Sequence, residues 1–105
     1  MKDRENAFEN KFAHDEQLSF RIEARCCKLF GLWVAGKMGL SGAEIPNYAG
    51  EVVAANLQEA GFGDVLRKVS ADLKAKNIEF SSHLLEAELE KAHEEARDQI
   101  LNETE

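Results

Sequence analysis

The first 30 residues contain neither glycine nor proline, and this absence limits the possible folds more than any other feature of the chain. Residues with high helix propensity dominate the stretch, so it predicts one long helix or two collinear helices. Apolar residues recur in it at spacings of three and four, which makes a stripe wide enough for one side of a bundle core. This stripe consists of Ile22, Cys26, Leu29, Phe30, Trp33 and Val34.

A second, shorter apolar stripe lies upstream and is formed by Phe8 and Phe12. Its continuation toward the first stripe would require apolar side chains at positions occupied by Asp15, Glu16 and Ser19. Because the two stripes do not join, we predict a mobile or extended N-terminal helical segment over residues 1–17 and a bundle domain over residues 18–105. The alternative is a bent helix whose two phenylalanines fold back onto the bundle.

The remaining sequence predicts three further helices separated by short breaks. A glycine-rich stretch over residues 36–42 ends the first helix, and Ser41 to Glu44 has the spacing of a capping box for a second helix that runs to about Ala60. A third helix begins at Asp64 after another glycine break and ends near residues 76–77. Ser81 or Ser82 can cap a fourth helix.

Each of these helices carries apolar residues at helical spacing, which we expect to face a common core. Four helices with short connections predict an all-α fold, a four-helix bundle. The expected core positions of the three later helices are Tyr48, Val52, Val53, Leu57, Val65, Leu66, Val69, Leu73, Leu85, Leu89, Ala92, Ala96 and Ile100.

The charge of the chain limits its partners. The 105 residues include 13 basic and 20 acidic side chains, a formal charge of −7, and residues 51–105 carry all of the excess. A negative protein lacks the electrostatic term that dominates non-specific nucleic-acid binding, so nucleic acids and anionic membranes are disfavoured partners. No uncharged run exceeds eight residues, far short of the roughly 20 that a membrane-spanning helix needs. We expect a cytoplasmic protein.

Catalytic motifs are not apparent. The sequence has no glycine-rich phosphate loop ahead of a lysine, no nucleophile elbow and no metal-ligand spacing among its three histidines and two cysteines. Cys26 and Cys27 are adjacent, which would strain a disulfide between them, so we expect free thiols that indicate a reducing compartment or simple packing in the core. His14 beside Asp15 could act as a pH switch or as an exposed helix residue. We therefore predict that the protein is not an enzyme, with no catalytic residues and no metal.

Charges and aromatic residues follow a distinctive order at the start of the chain, over Asp3-Arg4-Glu5, Ala7-Phe8-Glu9, Lys11-Phe12-Ala13-His14-Asp15, Phe20-Arg21, Ala24-Arg25, Lys28-Leu29, Gly31 and Trp33. A thinner pattern continues over Tyr48-Ala49, Glu51-Val52-Val53, Gln58-Glu59, Asp64-Val65, Arg67-Lys68-Val69, Asp72-Leu73 and Ala96-Arg97-Asp98-Gln99-Ile100. In these motifs the chain closely resembles the zeta subunit of alphaproteobacterial F-type ATP synthases, a family of small ATPase inhibitors.

The resemblance implies that the N-terminal segment enters a catalytic interface between alpha and beta subunits, near gamma, and blocks ATP hydrolysis. It implies that Phe8 and Phe12 are anchors, and that charged neighbours set the register. The implied partner is the catalytic head of the ATP synthase, bound by a monomer that would associate with the inner membrane only through that enzyme. The implied partner-binding residues are Asp3, Arg4, Glu5, Phe8, Glu9, Lys11, Phe12 and His14.

Two alternatives remain open. A regulatory bundle could bind ADP or ATP between its helices, with phosphate contacts from Arg25, Lys28, Arg67 and Lys68, although no recognisable phosphate loop supports this interpretation. A general helical adaptor with no link to ATP synthase is the other. No other cofactor is expected.

Overall fold

The computed structural model describes the backbone of residues 2–57 and 61–104 and the side chains of residues 17–57 and 61–103. The described residues form four α-helices, and no strand occurs among them. The helices are α1 (Lys2–Lys37), α2 (Glu44–Asn56), α3 (Gly63–Ala75) and α4 (Ser82–Thr104). This architecture confirms the predicted all-α, four-helix fold.

The first helix is continuous and unusually long. Its 36 residues correspond to an axial length of about 54 Å. It ends in a Schellman motif, in which the Gly39 amide donates to the Gly36 carbonyl and the Leu40 amide donates to the Ala35 carbonyl, each at 3.1 Å. Gly39 adopts a φ of 76°, which an L side chain would disfavour. The predicted glycine stop is therefore confirmed.

The second helix begins without the predicted capping box, so that prediction was wrong. Its N-cap is Ala43, in the right-handed helical region, and no side chain caps the first turn. The preceding turn satisfies the first amides instead, because Glu44 donates to the Ser41 carbonyl at 3.2 Å and Ile45 to the Gly42 carbonyl at 3.3 Å. The helix ends at Asn56 rather than near Ala60, which lies outside the described residues.

The third and fourth helices have the end signals that the sequence indicated. Asn77, at a φ of 59°, closes a second Schellman motif in which the Ile78 amide donates to the Leu73 carbonyl at 3.0 Å. Ser81 then caps α4, since its Oγ accepts a hydrogen bond from the Leu84 amide at 3.0 Å. The N-cap prediction is thus confirmed for Ser81.

The core forms where α1 packs on α2 and α4 and α2 packs on α3. Cys27 is fully buried although it was not assigned to the apolar stripe, whereas Leu29 and Trp33 are only partly buried at its edge. Leu57, predicted to be buried, is 61% exposed because α2 has already ended. The buried apolar residues are Ile22, Cys26, Cys27, Phe30, Val34, Ala35, Tyr48, Ala49, Val52, Val65, Val69, Leu73, Leu85, Leu89, Ala92, Ala96 and Ile100.

Helices α1 and α2 cross at a glycine. A Cβ atom placed on Gly31 would lie 2.8 Å from the Ala49 Cα and 3.2 Å from a Val52 methyl group. Both distances are shorter than ordinary carbon–carbon contacts of about 3.5 to 4.0 Å, so the helices can cross this closely only because Gly31 has no side chain. Gly31 thus sets how closely α2 approaches α1.

Cys26 and Cys27 are free and buried, as predicted. Burial, together with the charge of Glu23, raises the pKa of Cys26 to about 12, and burial is also the main cause that raises the pKa of Cys27 to about 12. The Cys26 thiol lies 3.7 Å from the Leu89 carbonyl oxygen, to which it donates. The pair therefore behaves as core packing rather than as reactive thiols.

Candidate partner-binding site

The predicted partner-binding residues all lie on the N-terminal part of α1. The backbone there is helical, but the side chains of residues 1–16 lie outside the described residues, and so does the proposed His14 switch. The predicted site residues to which this applies are Asp3, Arg4, Glu5, Phe8, Glu9, Lys11, Phe12 and His14. What the structure describes of the site is its base, from Gln17 onward.

The base of the segment is positioned by α4, which runs antiparallel to α1. Arg21 and Arg25 both contact Glu103 near the C-terminal end of α4. Cys26, which is further along α1, contacts Leu89, which lies about four turns closer to the N-terminal end of α4. From Lys2 to Gln17 the α1 backbone adds 16 helical residues, about 24 Å, ahead of these contacts. The predicted segment is thus a direct extension of a bundle helix and not a separate, linked element.

An arginine clasp ties α1 to α4 at this end of the bundle. One guanidinium nitrogen of Arg25 donates to the Gln99 Oε1 at 2.7 Å and lies 2.9 Å from one carboxylate oxygen of Glu103. The other nitrogen donates to the second Glu103 oxygen at 3.3 Å. A guanidinium that holds both oxygens of a carboxylate restricts orientation as well as distance. The clasp therefore joins α1 to α4 where α1 leaves the bundle.

Phe20 lies at the base of the segment and is 59% exposed. Its position adjoins Ser19, where the core stripe is interrupted, and its aromatic surface has no described ring partner. Sequence reasoning did not assign it to the site, although an apolar residue off the core stripe was the available signal. Phe20 is thus an exposed aromatic side chain next to the predicted segment.

A hollow of about 690 Å³ opens beside the base of the segment. It lies between α1, α4 and Phe62 at the start of α3. The rings of Phe62 and His93 meet edge-on there, with their centroids 6.2 Å apart. The lining of the hollow combines apolar and charged side chains and adjoins the base of the segment. The lining residues are Leu18, Ser19, Ile22, Glu23, Phe62, His93, Arg97 and Leu101.

A polar contact on the opposite side ties α3 to α2. The Tyr48 hydroxyl donates to the Asp72 carboxylate at 2.8 Å, and Lys68 bridges Asp72 at 3.0 Å and Glu51 at 3.1 Å. Burial, followed by the hydrogen bond to Asp72, raises the pKa of Tyr48. Burial lowers the pKa of Lys68, but the two carboxylate partners outweigh it and leave this pKa raised. This cluster holds the bundle together away from the site.

Two of the four cations considered for phosphate binding line one of the described hollows. Arg25 and Lys28 line a hollow of about 330 Å³ between α1, α2 and α4, whereas Arg67 and Lys68 lie on α3 and do not line it. Three of the four already bind carboxylates within the chain: Arg25 binds Glu103, Arg67 binds Asp64, and Lys68 binds Asp72 and Glu51. Lys28 is exposed beside the hollow.

Comparison with known proteins identifies the family. The model of the family described as ATPase inhibitor subunit zeta matches residues 1–99, which include the predicted segment and most of the bundle. A protein whose structure was solved by solution NMR is 43% identical, covers 82% of this chain and 98% of its own, and superposes with a TM-score of 0.72. None of the curated proteins compared matches significantly.

The chain therefore belongs to the ATPase inhibitor subunit zeta family. The resemblance that the sequence suggested is confirmed. Within the part of the chain that the structure describes, no helix combines the length and the hydropathy that crossing a bilayer requires.

Proposed function

We propose that this protein is a regulatory, non-catalytic subunit that inhibits ATP hydrolysis by an F-type ATP synthase. In this proposal, residues 1–17 of α1, the inhibitory segment, insert at a catalytic interface between alpha and beta subunits near gamma. The observation that carries the proposal is the family match, because it extends over residues 1–99 and so includes the whole inhibitory segment. The protein would then be cytoplasmic and lie at the inner membrane only through the enzyme.

The geometry of α1 supports delivery of the segment as a helix. A groove in a partner commonly receives an amphipathic helix through apolar anchors at spacings of three and four residues, and Phe8 and Phe12 have this spacing. The bundle holds the C-terminal half of α1 through its core contacts and through the Arg25 clasp. Because this half is held, residues 1–17 are anchored at one end in the free protein, and the partner groove orders them as a helix on binding.

The energetics assign different roles to the segment residues. Buried aromatic anchors usually dominate an interface, whereas exposed ion pairs contribute about 0 to 1 kcal/mol. We therefore assign affinity to Phe8 and Phe12. Register is assigned to the charge pairs of Arg4, Glu5, Glu9 and Lys11, and Asp3 and His14 contact the partner as further members of the same surface.

The first test removes the segment. Deletion of residues 1–14 should abolish inhibition of ATP hydrolysis by the purified catalytic head, while circular dichroism remains that of a folded bundle, because the core begins at Ile22. Leu57→Ala is a control, since it trims an exposed apolar side chain far along the chain from the segment and should leave inhibition unchanged. If the truncated protein without residues 1–14 inhibits as well as the full chain, the proposal is contradicted.

The second test separates anchors from charges. Phe8→Ala combined with Phe12→Ala should weaken inhibition by about 2 kcal/mol or more, about thirtyfold in the inhibition constant. Glu5→Ala should change it by less than about fivefold, since an exposed ion pair is worth less than about 1 kcal/mol. Equal losses in the two variants would show that electrostatics sets the affinity.

A further inference from the structure

A second groove lies on the other side of His93 from the hollow at the base of the segment. It has a volume of about 420 Å³ and lies between Phe62, at the start of α3, and the outer side of α4. Leu89 contributes to its floor, and the edge-on contact between Phe62 and His93 forms one end. We call this the α4 groove.

One wall of the α4 groove is acidic. Glu86, Glu90 and Glu94 line it at intervals of one helical turn, and all three side chains are exposed. None of them forms a described hydrogen bond or ion pair, whereas neighbouring Glu88 pairs with Lys91 at 3.6 Å. Like charges four residues apart repel each other on a helix, so a positively charged occupant would relieve the repulsion.

The charge pattern narrows the choice of occupant. Nucleic acid and anionic lipid would be repelled. The inhibitory segment is also a poor match, because residues 1–17 contain three basic and five acidic side chains. A metal ion is not favoured either, since the described residues include no group of three or more His, Cys, Asp or Glu that could hold one. A cationic partner with apolar side chains fits both the floor and the wall.

The length of the groove sets the size of that partner. Glu86 and Glu94 are eight residues apart, about 12 Å along α4, which corresponds to two turns of a docked helix. Arg97 lies nearly one turn beyond Glu94, in the hollow at the base of the segment, and its positive charge limits a cationic occupant at that end. We propose that the α4 groove binds a helical segment of a partner protein that presents an apolar side chain between lysines or arginines.

The test uses a defined probe, a 14-residue amphipathic helical peptide of leucine, lysine and alanine. Titrated into the ¹⁵N-labelled full chain, it should shift NMR signals around Phe62, Leu89, His93 and residues 86–94. Glu86→Gln, Glu90→Gln and Glu94→Gln together should weaken binding by about tenfold or more, because they remove the complementary charge. Signals that shift evenly over the acidic surface would overturn the proposal.

A matched charge control keeps the test specific. Glu44→Gln, Glu79→Gln and Asp98→Asn remove the same charge from exposed positions outside the groove and should weaken binding by less than about twofold. Equal weakening by the two triple variants would mean that only net charge attracts the peptide. A peptide with serine in place of leucine should bind about tenfold more weakly, and unchanged affinity would also refute a role for the apolar floor.

Two further measurements separate peptide binding in the α4 groove from the inhibitory segment and from self-association. Protein lacking residues 1–14 should bind the peptide with unchanged affinity, so the groove is tested separately from the inhibitory segment. The groove signals could instead shift when the concentration of the protein alone is raised, with no further shift on addition of the peptide. In that case a second copy of the chain occupies the groove and the proposal is wrong.

Discussion

Replacing Gly31 with alanine tests the packing of α1 on α2. The added Cβ would lie 2.8 Å from the Ala49 Cα and 3.3 Å from the Ala49 Cβ. The nearest atom belongs to the backbone, so rotation of a side chain cannot relieve the overlap. Restoring ordinary contact at about 3.5 Å or more requires the two helices to separate by most of an ångström.

The expected change in stability is the sum of two opposing effects. Alanine favours the helix over glycine by about 1 kcal/mol, whereas forcing extra volume into a close-packed contact costs about 1 to 3 kcal/mol. Because the contact is with a backbone atom, we take the upper end of that cost, which leaves Gly31→Ala less stable by about 2 kcal/mol. For a domain of this size the melting temperature should fall by about 8 to 16 °C.

Gly50→Ala is the matched control. Gly50 also lies inside a helix, but no atom lies within 4 Å of the point that its added Cβ would occupy, so only the helix preference applies. The free energy of unfolding of Gly50→Ala should therefore rise by about 0.5 to 1 kcal/mol. Urea unfolding followed by circular dichroism measures both variants. If Gly31→Ala is stabilised as much as Gly50→Ala, the close crossing of α1 and α2 is wrong.

Two other predictions concern the thiols and the inhibitory segment. Because the pKa of Cys26 and Cys27 rises from 9.0 to about 12 on folding, the unfolded chain loses these protons first, and stability should fall as the pH rises from 9 toward 12. In urea unfolding, the free energy of unfolding should fall by at most about 1.4 kcal/mol per pH unit for each thiol. If a variant with both cysteines replaced by alanine keeps the full pH dependence, the thiols are not its cause. Residues 1–17 should show fast amide exchange and low order parameters in the free protein while residues 22–34 are protected, and backbone relaxation that is uniform from residue 5 onward would refute this.

Local signals in the sequence were sufficient for the number of helices and for most of their ends. The Gly39 and Asn77 stops and the Ser81 cap depend on backbone conformation and on hydrogen bonds between residues only three to five apart. Such interactions involve neighbours in the chain, so residue type and spacing predict them. The same reasoning placed Leu85, Leu89 and the other buried residues of α4 correctly, because their spacing follows the helical repeat.

The start of α2 shows where local reasoning fails. Ser41 to Glu44 has capping-box spacing, but the chain makes another turn there, and the backbone carbonyls of Ser41 and Gly42 satisfy the first amides. A spacing rule identifies residues that can form a cap and does not determine whether the backbone needs one. The tertiary path between α1 and α2 decided this.

Tertiary structure alone decided how the site's base is held and how far around α1 the buried side extends. Arg25 and Glu103 are 78 residues apart, and nothing in either local sequence indicates that they meet. Cys27 is buried while Leu29 is only partly so, because α1 packs on both α2 and α4. Periodicity shows that a helix has an apolar side, but the direction of that side depends on the helices that pack against it.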